Sequence, residues 1–253
     1  MSFDVAAAAY GRFMGRFSEH LAAGFADLAG VRSGQVALDV GCGPGPLTAE
    51  LVARLGVRCV IAIDPSSHFV EAVRARLPGV DARVGVAEQL PLADGSVDVT
   101  MAQLVVHFLS DPAEGVAEMR RVTRPGGVVA ANVWDHASDR GGPLTAFYRA
   151  VADVDPSAGP EVGYAGVEDA LLVDVFRAAG LGVVDASWLS ITVPFATFDE
   201  WWSPFTLGVG PPGVYVAGLP EDHRRALRSR CAELLPPAPF ALEASAWCVR
   251  ADV

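Results

Sequence analysis

The stretch Val36-Ala-Leu-Asp-Val-Gly-Cys-Gly-Pro-Gly45 constrains this chain more than any other. Residues 36–40 read as a short apolar strand that runs straight into glycines at 41, 43 and 45. A helical pattern follows at once, with Leu47, Leu51, Val52 and Leu55 on one face. A strand, a glycine turn and a helix in that order form a cofactor-binding loop. Gly41 lets the chain turn tightly, and Gly43 removes the Cβ so that a ligand can lie against the backbone. The helix opening near Gly45 aims free N–H groups at that ligand.

A second apolar run, Cys59-Val-Ile-Ala-Ile-Asp64, ends on a carboxylate 19 positions after Gly45. An acidic residue there, at the tip of the second strand, can take both hydroxyls of a ribose. Nicotinamide dinucleotides and S-adenosylmethionine (SAM) are both bound with that geometry. The dinucleotide fingerprint is Gly-x-Gly-x-x-Gly, whereas this loop is Gly-x-Gly-x-Gly with Asp39 two residues before its first glycine. A carboxylate at 39 repels a pyrophosphate and suits the sulfonium and ammonium of SAM.

Leu38-Asp-Val-Gly-Cys-Gly-Pro-Gly45 resembles the first motif of class I SAM-dependent methyltransferases. Four more stretches match in order. Ile63-Asp-Pro65 is similar to the acidic second motif. The run from Gly85 to Asp98 resembles the adenine-side loop and the lead into strand four. Ala102-Gln-Leu-Val-Val-His-Phe108 resembles the fourth motif, and Glu118-Met-Arg-Arg-Val-Thr-Arg-Pro-Gly-Gly127 the helix and turn before strand five. The resemblance spans roughly residues 10–134. It implies SAM as cofactor, held by Asp39, Gly41, Cys42, Gly43, Asp64 and Pro65, by Val86, Ala87 and Glu88 on the adenine side, and by Gln103 past strand four. It also implies contact of Tyr10 or Arg16 with the methionine end; the alternative is an ordinary helix packed on the sheet edge. The sequence departs from the pattern at Val86, where many relatives carry an acid for the adenine amine. Val86 can only pack against adenine, which predicts modest SAM affinity. Glu88 is either a polar neighbour of adenine or a helix-start charge.

The 253 residues suit one α/β domain over 1–253, with a helical cap at 10–30 and an insertion at 195–236 between the last two strands. In this family such an insertion commonly forms a substrate lid; the plainer alternative is a cover for the sheet edge. Hydrophobic residues make up 51%, enough for a sizeable core, yet no window approaches 18 unbroken apolar residues and the amino terminus lacks a basic start followed by an apolar run, so neither a membrane-spanning helix nor a secretory signal is expected. The four cysteines show no paired CxxC spacing, as expected of a reduced cytoplasmic protein without structural zinc. The formal net charge of −11 disfavours nonspecific binding to nucleic acid or anionic membrane, and favours a small-molecule acceptor.

Helices are expected over residues 18–28 (capped by Ser18), 66–77, 112–122, 144–154, 168–179 and 221–234, and strands over 81–84, 97–102, 128–133, 183–193 and 240–250. The resulting fold class is a Rossmann-like, doubly wound, seven-stranded sheet with a helical lid. It is mostly parallel, with the last strand antiparallel as the resemblance implies. No His, Asp or Glu cluster has metal spacing. His107 is the best-placed general base because it follows strand four, or it is simply a histidine in the cleft wall; His136 and Tyr148 come next. Trp134, Trp201, Trp202 and Phe205 hint at an apolar or aromatic acceptor, although aromatics are also ordinary core residues. The expected reaction is in-line methyl transfer to N, O or C of a small molecule. The alternatives are a SAM-binding partner or regulatory protein without catalysis and, more remotely, an NAD-dependent oxidoreductase.

Overall fold

The computed structural model describes residues 11–136, 138, 140–158 and 169–253. Seven strands form one sheet in the order β3-β2-β1-β4-β5-β7-β6. They are β1 (Ala37–Val40), β2 (Val60–Asp64), β3 (Asp81–Val84), β4 (Val97–Gln103), β5 (Thr123–Trp134), β6 (Gly182–Phe195) and β7 (Phe240–Asp252). The first five run parallel. β7 inserts between β5 and β6 and is antiparallel to both. The strand order therefore reverses between β1 and β4, and the crevice beyond their carboxyl ends is where such sheets bind ligands.

The central strands are buried on both faces, so they read as apolar runs without alternation; all four residues of β1 are buried. One face packs against α1 (Arg16–Leu28) and α2 (Pro46–Leu55), whose Leu21, Phe25 and Leu51 are fully enclosed. The other packs against α4 (Pro112–Val122) and α6 (Asp169–Ala178) through Val116, Met119 and Phe176. Between β2 and β3 lies α3 (Ser67–Arg76), where Ser66 Oγ accepts from the Phe69 amide at 3.4 Å, the expected cap. Asp111 caps α4 by accepting from the Glu114 amide at 3.0 Å, with Pro112 in the first turn.

Two features differ from expectation. Ser18 does not cap α1, because a π-helical turn over Gly11–Gly15 leads into the helix without a break. Its hydroxyl instead donates to the Met14 carbonyl at 3.0 Å from inside the helix. β5 begins at Thr123, before the Pro-Gly-Gly expected to precede it, because Thr123 already pairs with Val97 ahead of a register shift. Residues between β6 and β7 fold into α7 (Phe198–Trp202), a 3-10 turn (Ser203–Leu207), α8 (Gly210–Gly218) and α9 (Glu221–Leu234). α5 (Thr145–Val154) packs against α9. No helix among the described residues is long and apolar enough to cross a membrane.

Candidate active site

The glycine loop is held from two sides. The amides of Gly41 and Cys42 both donate to the Ile63 carbonyl on β2, at 2.7 and 3.1 Å. Gly41 sits at φ +68°, and a Cβ there would lie 2.5 Å from Val105 Cγ2, so only glycine fits between β1 and the segment after β4. Gly43 is different. At φ +53° it has no protein atom within 4 Å of where a Cβ would be, so the space above it is open to a ligand.

The two acids flank this loop. Asp64 is buried; one oxygen accepts from the Gly43 amide and the other from the Ser66 amide, both at 2.8 Å. It therefore ties the loop to the start of α3 and keeps lone pairs for further donors. Burial raises its pKa, against the pull of those two N–H bonds. Asp39 is 1% exposed and accepts a 2.6 Å bond from Thr48 Oγ1. Burial, partly opposed by the Thr48 bond and reinforced by the charge of Asp64, lifts its pKa to about 7. Two carboxylates, one of them a strained ionisation, leave a deficit of positive charge beside the loop. Cys42 is buried beside them, its thiol pushed well above its ordinary pKa by burial and both acids, which leaves it an inert wall. Pro65 is exposed at the tip of β2.

On the adenine side Val86 is 45% exposed, with Ala87 buried beneath it. Glu88 turns away: its Oε1 accepts from the Ser110 and Asp111 amides at 2.9 and 3.4 Å. This loop is fastened to α4 by Arg121, which donates to the Leu90 and Leu92 carbonyls and pairs with Glu118 and Asp94. Gln103, at the end of β4, donates from Nε2 to the Ser18 carbonyl at 3.1 Å, while its Oε1 is buried with no partner among the described residues. Arg16 pairs with Glu200 at 2.8 Å and stacks over the Phe195 ring at 4.5 Å, so the structure places it against α7 rather than on the glycine loop. Tyr10 lies outside the described residues.

A cavity continuous with solvent opens at the carboxyl ends of β4 and β5. Phe13 and Met14 wall one side; Leu104, His107 and Phe108, just past β4, wall another. Trp134 and His136 come from the end of β5, and Val209 to Pro212 from the start of α8. Burial pulls the pKa of each histidine down to about 4, with the charge of His136 adding to the effect at His107. Both imidazoles are neutral near pH 7. Trp201, Trp202 and Phe205 do not line this cavity: all three are buried, and Phe205 stacks on Phe147 at 4.6 Å.

Leu104 went unnoticed in the sequence. It adopts φ +63°, a left-handed conformation uncommon for a residue other than glycine. Its amide donates to both the backbone and the side-chain oxygens of Asn132, each at 3.0 Å, which holds the turn out of β4. No signal in the sequence marks such a leucine. Among the described residues, no three His, Cys, Asp or Glu side chains are grouped to hold a metal ion.

These features define a doubly wound α/β protein whose switch-point crevice is built for a cationic nucleoside ligand. The bare loop at Gly43, the ribose-height carboxylate of Asp64 and the apolar adenine side at Val86 fit SAM. Residues 38–131 match the model of a methyltransferase domain family. A protein of Mycolicibacterium smegmatis named as a probable S-adenosylmethionine-dependent methyltransferase is 39% identical over 178 residues, 67% of this chain and 68% of that one. A malonyl-[acyl-carrier protein] O-methyltransferase of Yersinia pestis is 37% identical over 97 residues, 38% of this chain and 36% of that one. The complex between the Haloferax volcanii Trm112 methyltransferase activator and a methyltransferase contains a chain of like fold, with a TM-score of 0.62 at 20% identity over 99% of this chain and 97% of that chain. The chain belongs to the SAM-dependent methyltransferases, and SAM is the cofactor of that family. It aligns with about a third to two fifths of the length of the first curated relatives it matches.

Proposed function

We propose that this chain transfers the methyl group of SAM to a small-molecule acceptor seated in the cavity beside the glycine loop. The observation that carries this reading is the adjacency of the two features: the loop ends β1, and the cavity sits at the ends of the next two strands, β4 and β5. When bound, SAM supplies a methyl already activated by its sulfonium. The loop leaves room for it at Gly43, Asp64 receives the ribose hydroxyls, and the ionised form of Asp39 balances its positive charge. The cavity walls hold the acceptor atom in line with the methyl, at about 3–3.5 Å, and exclude water. His107 and His136 are the groups placed to receive a proton from the acceptor. The helices between β6 and β7 serve as the lid through the Val209 to Pro212 wall. The protein works in the cytoplasm on small molecules and not on nucleic acid, a reading that its net charge of −11 supports.

Calorimetric titration with SAM, and separately with NAD, for wild type and Asp64→Ala tests the cofactor half. Micromolar SAM binding that the variant loses is the expected result. Preference for NAD would replace this reading. Methyl-labelled SAM incubated with an acceptor panel tests the catalytic half, and binding without any turnover would leave a non-catalytic SAM-binding protein.

A further inference from the structure

Among the described residues that line the cavity, none carries a full charge. Its polar side-chain groups are two imidazoles, both neutral near pH 7, and the indole N–H of Trp134, which is buried without a partner among the described residues. The remaining wall is aromatic, aliphatic or proline, with Trp134 6% exposed and Phe108 on the rim at 37%. A carboxylate placed here would lose its water and meet no cation, a loss that no single hydrogen bond offsets. An ammonium would meet no anion. The overall charge of −11 adds a second barrier to anionic acceptors.

His136 gives this apolar cavity a direction. Its Nδ1 is buried without a partner among the described residues, and it faces Gly142, where a Cβ would come within 2.5 Å of it. Tyr148 meets the ring edge-on at 5.7 Å. The ring is therefore fixed by packing, and Nε2 is the nitrogen that a ligand can reach. In the tautomer that carries the proton on Nδ1, neutral imidazole accepts one hydrogen bond at Nε2, and the partner that suits it in an apolar surround is a hydroxyl.

We propose that the acceptor is an uncharged, apolar or aromatic molecule with a hydroxyl group, and that His136 Nε2 accepts the hydrogen bond from that hydroxyl. This rests on the methyl-transfer reading and narrows it to O-methylation of a neutral acceptor. On transfer the O–H bond breaks and an O–CH3 bond forms. The proton leaves to water by way of Nε2, and the electron pair of the broken S–C bond stays on sulfur. The malonyl acceptor in the name of the Yersinia pestis relative belongs to a different class, and none of the described residues lining this cavity is a cation that could pair with an acid.

The test uses three probes of one shape, titrated calorimetrically at pH 7: 2-naphthol, 2-methoxynaphthalene and naphthalene-2-carboxylate. Each is run with and without SAM, so the acceptor result stands whether or not the cofactor binds. The expected order is 2-naphthol tightest and the carboxylate weakest. His136→Phe keeps a flat ring against Gly142 and removes the nitrogen. It is expected to weaken 2-naphthol by about 3- to 10-fold, the worth of one hydrogen bond, and to leave 2-methoxynaphthalene unchanged. Unchanged SAM affinity in the variant shows that it is folded. Binding of the carboxylate as tightly as 2-naphthol, equal affinity of wild type and His136→Phe for 2-naphthol, or no binding of any probe would overturn the proposal. Failure of SAM to bind wild type would instead sink the methyl-transfer reading.

Discussion

Asp39→Asn separates the cost of the buried carboxylate from its use. The native carboxyl has a pKa of about 7, against 3.8 for an ordinary aspartate. The folded protein therefore holds this proton more tightly than the unfolded chain does. Stability from this group is fully present below pH 3.8 and is lost as pH rises through about 7. A gap of about three units corresponds to roughly 4 kcal/mol, an upper bound because structure relaxes around a buried charge. Asparagine is close in shape and still accepts from Thr48 Oγ1, giving up about 1 kcal/mol of charge assistance. Asp39→Asn is thus expected to be more stable than wild type by about 1–3 kcal/mol at pH 8 and to show little difference at pH 4. It is also expected to bind SAM much more weakly, since the charge proposed to balance the sulfonium is gone. Urea unfolding at pH 4, 6 and 8 measures the first effect and calorimetry the second. A variant no more stable than wild type at pH 8, or a stability gap that does not grow with pH, would refute the reasoning.

Further predictions follow from single contacts. Gly41→Ala places a methyl 2.5 Å from Val105 at positive φ and is expected to cost about 1–3 kcal/mol in unfolding free energy, with partial recovery in the Gly41→Ala, Val105→Ala double variant. Asp64→Ala leaves the Gly43 and Ser66 amides without their acceptor, so both stability and SAM affinity are expected to fall, by about 1–3 kcal/mol for stability. Glu88→Ala frees the Ser110 and Asp111 amides next to water, and is expected to lower stability by about 0.5–1.5 kcal/mol while SAM affinity holds within about twofold in calorimetry.

The parts of this molecule that local chemistry dictates were readable in the chain. β1 and β2 are doubly buried, so their apolar runs stand out, and the turn between β1 and α2 demands a glycine at 41, where a Cβ would run into Val105. Ser66 and Asp111 announce their helices because capping is a local hydrogen bond. What could not be read depends on distant partners. Ser18 has the right type for a cap, but the π-helical turn ahead of it supplies the start of the helix instead. Trp201, Trp202 and Phe205 have the composition of an acceptor wall, yet their neighbours are Phe147 and Phe198, and the wall comes from Val209 to Pro212. Arg16 was tied to the cofactor only through resemblance; the pairing with Glu200 spans most of the chain and leaves no local trace. The left-handed Leu104 is equally silent, because it is fixed by Asn132 on the neighbouring strand.

The most direct test of the central claim is SAM titration of wild type and Gly43→Ala. A Cβ at 43 would meet no protein atom, so the variant is expected to fold with only the modest strain of its positive φ. Its methyl would occupy the space assigned to the cofactor. Micromolar binding to wild type, lost in a variant that unfolds with the same cooperativity, is the predicted result. Equal SAM affinity in the two proteins, or none in wild type, would contradict the assignment of this loop as the cofactor site.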